Sequence, residues 1–143
     1  MIYKTDYHIH SLFSDGRAAP EDYLIPALKA GLNEIGFSEH LTLFVEDTGW
    51  SMNDKKAGIY LKHMKGFVEK TQEITVRTGL EVDFLQGREK EIHSFLKNID
   101  IDYAIGSVHY LGETTVDNGP EFYNGKNIDR LYEDYFEQVI AAA

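Results

Sequence analysis

The spacing of apolar side chains changes period several times along the chain, and each change marks a change of element. Residues 2–10, rich in Ile and Tyr, predict a strand. Residues 20–30 predict a helix with Leu24, Ala27 and Leu28 as its apolar stripe; Pro20 suits the first helical position and Gly31 the stop. Pro26 runs against this assignment, because it removes a backbone donor inside the helix. A short strand is expected over 34–38, a loop over 39–53, and a second helix over 54–73 with Asp54 as N-cap and Tyr60, Met64, Phe67 and Val68 along one face. Residues 75–84 predict a third strand, residues 88–97 a third helix with Ile92, Phe95 and Leu96 inward, and residues 103–109 a fourth strand. After a Gly-, Asn- and Asp-bearing loop over 112–127, the last helix has the clearest period: Ile128, Leu131, Tyr132, Tyr135, Phe136 and Val139 follow the i, i+3, i+4 rule. The order βαβαβαβα argues for an α/β architecture with parallel strands.

Four such units are half of an eight-unit barrel, which typically runs to about 250 residues. At 143 residues, the chain fits either a small open sheet or a piece of a barrel. The terminal run of three alanines does not decide between them. Composition, at 43% hydrophobic and 27% charged, is that of an ordinary globular domain. No run of 18 or more apolar residues occurs, so no membrane span is expected. The N-terminus lacks a basic region followed by a long apolar stretch, so a cytoplasmic location is expected. Cysteine is absent, which removes disulfides, thiolate metal sites and Cys nucleophiles together. A net charge of −10 makes long nucleic acid a poor partner. It leaves room for a small phosphorylated metabolite, because bound cations invert the field inside one pocket.

Chemistry gathers at the strand ends. His8 and His10 stand at i and i+2, so both imidazoles point to one face of the first strand, away from Tyr7 and Ile9. Asp15 follows in SDG, Glu39 and His40 end the second strand, Glu81 and Asp83 repeat the i, i+2 spacing, and His109 closes the fourth. In parallel α/β folds the loops after strand C-termini converge at one mouth. A sulfur-free set of nitrogen and oxygen ligands suits Zn²⁺, Mn²⁺ or Fe, and a shared carboxylate could bridge two ions and support in-line phosphoryl displacement.

Each residue also has a plainer reading. A lone HxH is weak evidence, single histidines are more often hydrogen-bonded structural residues, and Asp15 before Gly16 is a common turn pair. Glu81 and Asp83 could be solvated acids. It is the coincidence at four successive strand ends that favours a metal site. His63 and His93 sit mid-helix beside Lys62 and Glu91 and are read as exposed. Glu39 stays open between a supporting role and the surface. Phe44 and Trp50 could wall a pocket or anchor their loop on the core, and Arg17 could meet a phosphate or simply be exposed.

These same segments resemble the PHP (polymerase and histidinol phosphatase) family. DYHIHSLFSDG resembles its first motif, GFSEHL its second, GLEVDF its third and IGSVHYL the next, in the style of the histidinol-phosphatase branch. The match runs in the expected order from residue 6 to about 111. The resemblance implies a distorted TIM-like βα barrel, of which this chain would supply about four βα units as the N-terminal part, over 1–143, of a single metallophosphoesterase domain. It implies two or three divalent metals in the complete protein, held here by His8, His10, Asp15, His40, Glu81 and His109. Glu81 would bridge two ions, and Glu81 and His109 would act in catalysis through the metals and a bridging water. The implied reaction is hydrolysis of a small phosphate monoester, with L-histidinol phosphate the leading candidate.

The family pattern continues with a further His or Cys and a late Asp-x-His motif, whereas no His follows His109 here. The chain is therefore expected to lack roughly half the barrel, three ligands and the phosphate-contacting arginines of the branch. An open sheet edge after the fourth strand would favour self-association or pairing with a C-terminal half. Two other readings stand beside the phosphatase: a PHP nuclease, disfavoured by the acidic charge, and a non-enzymatic metal-binding or assembly fragment.

Overall fold

In the computed structural model, residues 2–44, 48–112 and 114–142 are described. Residues 45–47 of the loop expected after the second strand, Glu113 of the later loop and Ala143 of the terminal alanines lie outside them. The strands β1 (Thr5–Ile9), β2 (Glu34–Leu41), β3 (Thr75–Asp83) and β4 (Tyr103–Ser107) form one parallel sheet in the order β1-β2-β3-β4. Strand order that follows chain order, without reversal, is the winding of a TIM-like barrel and not of a doubly wound open sheet. The four helices are α1 (Leu24–Lys29), α2 (Asp54–Lys70), α3 (Glu89–Lys97) and α4 (Ile128–Ala142). None is long and apolar enough to cross a membrane among the described residues.

The described residues fall into two compact units, one reaching to Val82 and including Asp100–Ile105, the other formed by Asp83–Ile99 and the stretch from Gly106 onward. In the first, β2 is buried along its whole length. Ile35, Phe37 and Leu41 are fully buried on its apolar face, where Tyr60, Met64 and Phe67 of α2 are also buried. Phe37 meets Tyr23 and Phe67 edge-on, and the Tyr60 hydroxyl donates to the carbonyls of Phe37 and Gly79 at 3.0 Å each. On the other face the Tyr103 ring presses on Gly36 and Gly79, where a Cβ at Gly79 would stand 2.3 Å from the ring. Only glycine admits so close an approach.

Several boundaries differ from expectation for identifiable reasons. The predicted helix over 20–30 begins as a 3-10 turn, Pro20–Tyr23, and becomes α1 only at Leu24. Pro26 then falls in the first turn of α1, where backbone donors lack intrahelical partners and its missing N–H costs little. Gly31 adopts φ +72° and closes α1: Leu32 N–H donates to Ala27 O and Gly31 N–H to Leu28 O, both at 3.0 Å. Strand β2 runs three residues past Ser38, so Glu39, His40 and Leu41 are strand residues and not loop. The N-cap of α2 is Asn53, whose side chain accepts from Lys56 N–H at 3.0 Å, rather than Asp54. β1 is shorter than predicted, and β4 ends before His109.

In the second unit, the expected loop over 112–127 holds structure. A small antiparallel pair, β5 (Tyr110–Leu111) with β6 (Thr114–Thr115), leads to a 3-10 turn at Pro120–Tyr123. Ile92 of α3 is buried as predicted. Helix α4 buries no residue completely: Leu131, Tyr135 and Val139 are half-covered, while Ile128, Tyr132 and Phe136 are exposed.

Candidate metal centre

The site in the first unit is assembled from three strands and one turn. His8 in β1 and His10, the residue just past its end, lie on the same side, with their rings stacked 5.0 Å apart at 24°. His40 of β2 and Glu81 of β3 are register partners on adjacent parallel strands. Past β1 the chain doubles back. Ser14 and Gly16 N–H groups both donate to Ser11 O, at 3.1 and 2.9 Å, and Leu12 N–H donates to Ala18 O at 2.9 Å. Gly16 packs so tightly on the His10 carbonyl that a Cβ there would meet its oxygen at 2.2 Å. The Tyr23 hydroxyl holds the same carbonyl at 2.8 Å. This turn returns Asp15 to the ring of His10.

Two carboxylate oxygens organise the cluster. Glu81 Oε2 lies 2.8 Å from His8 Nε2, 3.2 Å from His10 Nε2 and 3.3 Å from His40 Nδ1. Asp15 Oδ1 lies 3.1 Å from His10 Nδ1 and 3.6 Å from His40 Nε2. His10 and His40 therefore each present both ring nitrogens to carboxylates. A neutral imidazole has one N–H and one lone pair, so in the neutral state each ring sets a lone pair against an anion, an arrangement that a cation between them satisfies. The donor atoms of His8, His10 and Glu81 lie within 4.8 Å of one another, as do those of His10, Asp15 and His40. Two three-ligand groups sharing His10, built from nitrogen and oxygen alone, fit divalent ions of the zinc type.

The electrostatics follow from this crowding. Burial opposes ionisation of Glu81, but hydrogen bonds from His10 and His8 and the charges of His40 and His8 outweigh it and hold the carboxyl at about 2. The Glu81 hydrogen bond, aided by Asp15, raises the His10 pKa against the opposing effect of burial. His8 is the open side of the cluster, with 54% of its side chain exposed, whereas Glu81 is buried.

The sequence expectations fare unevenly. His8, His10, Asp15, His40 and Glu81 come together as described. His109 is set in the second unit, where its backbone N–H donates to Asp83 Oδ1 at 3.2 Å and its ring Nδ1 lies 2.7 Å from the same oxygen. Asp83 is 1% exposed and is no solvated acid. It orients the His109 ring through this contact. Its i+2 spacing from Glu81 is the signal that pointed to it. Arg17 is exposed and forms no ion pair among the described residues. Trp50 meets His40 edge-on at 4.9 Å, which makes it a wall of the cluster, while Phe44 is exposed with a left-handed backbone at φ +66°. His93 is exposed as read. His63 is not: it is half-covered, its ring packs on Phe13 at 5.1 Å and its Nε2 lies 2.9 Å from Glu21. Glu39 is fully buried, which settles it against the surface.

Residues 6–143 match the PHP domain. The chain belongs to the PHP family. Among curated PHP relatives, a Deinococcus radiodurans protein named "Probable histidinol-phosphatase" is 36% identical over 144 residues, covering 96% of this chain and 55% of its own length. The histidinol-phosphatase of Lactococcus lactis subsp. lactis is 31% identical over 133 residues, covering 92% of this chain and 49% of the relative. The crystal structure of the histidinol phosphate phosphatase from Lactococcus lactis, complexed with zinc, L-histidinol and phosphate, superposes with a TM-score of 0.75 at 29% identity, over 94% of this chain and 51% of that one. The chain thus spans about half the length of the PHP proteins it matches.

Proposed function

We propose that this PHP chain supplies the N-terminal half of the site of a metal-dependent phosphatase acting on a small phosphate monoester, with L-histidinol phosphate as substrate. The observation that carries the reading is the pair of carboxylate oxygens, on Glu81 and Asp15, each faced by imidazole nitrogens from the ends of neighbouring strands. Its agreement with relatives named for histidinol phosphate hydrolysis, one of them holding zinc, L-histidinol and phosphate, supports the substrate and the metal. His8, His10, Asp15, His40 and Glu81 hold the ions, two or three in the complete protein and zinc by preference, and His109 adds a further ligand oriented by Asp83. Bound divalent ions would supply the positive charge that polarises a phosphoryl group and eases ionisation of water near neutral pH. The protein's own part is orientation: Asp15 and Glu81 fix the imidazoles, and Trp50 excludes water from the His40 side. With no Cys in the chain and no side-chain nucleophile required, direct attack by water on phosphorus is the chemistry that suits this set. Arg17 is a candidate phosphate contact, the cytoplasm is the proposed location, and pairing with a C-terminal half is the proposed route to a complete barrel.

The first test is elemental analysis of the purified chain after exchange into chelator-free buffer. One or more equivalents of zinc, lost in a His10→Ala Glu81→Ala double variant, are expected. A chain free of metal even after incubation with Zn²⁺ would overturn the metal-site reading. In the complete protein the same double variant is expected to abolish release of phosphate from L-histidinol phosphate, and wild-type rates would sink the catalytic reading.

A further inference from the structure

We infer that Glu39 is a positioning residue for the metal centre, acting through the turn that carries Asp15; this rests on the metal-site reading above. Glu39 belongs to the face of β2 that holds Ile35, Phe37 and Leu41, all at 0% exposure, and is itself at 0%. A carboxylate in an apolar layer carries a large desolvation cost unless hydrogen bonds compensate it. Here they do: both carboxylate oxygens accept from the Ser11 N–H, at 2.9 and 3.0 Å, and one accepts from the Ser14 hydroxyl at 2.5 Å. Ser11 directly follows His10, and Ser14 directly precedes Asp15. Glu39 therefore grips both shoulders of the turn between two candidate ligands, while its chain neighbour His40 supplies a third from the opposite face of β2.

The consequence is geometric. Asp15 is half-exposed and reaches its imidazoles at 3.1 and 3.6 Å, so its place depends on these contacts and on the conformation of the turn. Gly16 and Tyr23 brace the His10 end of the turn. Glu39 is the side chain that ties in the Asp15 end. The hydrogen bonds of the carboxylate run to the turn, so its charge serves the turn and not the apolar layer around it. Outer partners of metal ligands typically contribute about 10- to 100-fold in metal affinity, and that is the range expected for Glu39.

The test uses the 143-residue chain with Co²⁺ as a spectroscopic probe, comparing Glu39→Gln, Ser14→Ala and Ile35→Val. Glu39→Gln retains one acceptor without the charge, Ser14→Ala removes only the hydroxyl donor, and Ile35→Val trims the same buried face without touching the turn. The expected result is a Co²⁺ affinity lowered about tenfold or more by Glu39→Gln and less by Ser14→Ala, with changed visible absorption bands, and an unchanged affinity and spectrum in Ile35→Val. Affinities and spectra equal to wild type in both turn variants would overturn the inference. So would an equal loss in Ile35→Val, which would mark the effect as general destabilisation. Failure of the unsubstituted chain to bind Co²⁺ or Zn²⁺ would instead remove the metal-site reading itself, and the positioning role with it.

Discussion

At the scale of single residues, buried carboxylates in this chain are each given a distinct set of donors. Glu34 illustrates the rule away from the His8–Glu81 cluster. Its carboxylate accepts from Arg77 Nε at 2.8 Å and from the hydroxyls of Tyr3 and Tyr7 at 3.0 and 2.8 Å. The Arg77 hydrogen bond, with help from both tyrosines, holds its carboxyl below the usual carboxylate range. A depressed carboxyl pKa contributes stability that is present above the ordinary value of about 4.3 and is lost as pH falls through the folded-state value. Arg77→Gln is therefore expected to lower stability at neutral pH, by an amount that solvent screening of the exposed guanidinium keeps small. Urea unfolding of both proteins should show that gap narrowing as the pH is taken down from about 5 toward about 2. A gap constant over that range would remove the ion pair as its source. The same attention to donors explains what the sequence concealed. The spacing of Asp83 from Glu81 marks it in the sequence, but its bond to His109, and that of Glu39 to the Ser11–Ser14 turn, appear only when the fold brings the partners together.

At the scale of elements, the reading from periodicity was sound for which elements exist and weaker for where they stop. The expected strand over 34–38 is shorter than β2, whose backbone continues through Glu39 and His40 in register with Leu80 and Glu81. The residues that look least like a strand are the ones the strand delivers to the site. The start of α2 at Asp54 agrees with the sequence reading, whereas its cap lies one residue earlier, since Asn53 and Asp54 are both capable caps and only geometry selects Asn53. Asn53→Ala is expected to cost about 1 kcal/mol in thermal unfolding. Asp54→Ala should cost about 0.3–1 kcal/mol, through the loss of a favourable charge in the first turn. The reverse ranking would return the cap to Asp54. For α4 the period was read correctly, but periodicity reports which residues share a stripe and not whether anything covers it. Tyr132 and Phe136 remain exposed here.

At the scale of the whole molecule, the class of fold and the family were legible because four motifs recur at four successive strand ends, a constraint far tighter than any one of them. Less legible was how each ligand is supported, since Tyr23, Gly16 and Glu39 act across distances in sequence that no local pattern encodes. If the cluster binds metal in the folded state alone, metal and fold are thermodynamically linked. Zn²⁺ at about 100 times its dissociation constant should then stabilise the chain by about 2.7 kcal/mol. Chelator should reverse the resulting rise in melting temperature, and His10→Ala should show no rise. A melting curve indifferent to Zn²⁺ in the unsubstituted chain would break that link.

The order β1-β2-β3-β4 also has a bearing on how the molecule comes into being. Every strand pairs with its neighbour in the chain, so no strand has to wait for a distant segment to be made before it finds a partner. Each closing loop contains one helical crossover, and the entropy lost in closing it grows only slowly with its length. On a ribosome, where the N-terminal portion emerges first, β2 can dock beside β1 while β3 is still being translated, and β3 then brings Glu81 to His8, His10 and His40 already in place. The His, Asp and Glu cluster of the first unit is thus built in the direction of synthesis, one imidazole or carboxylate with each strand laid down.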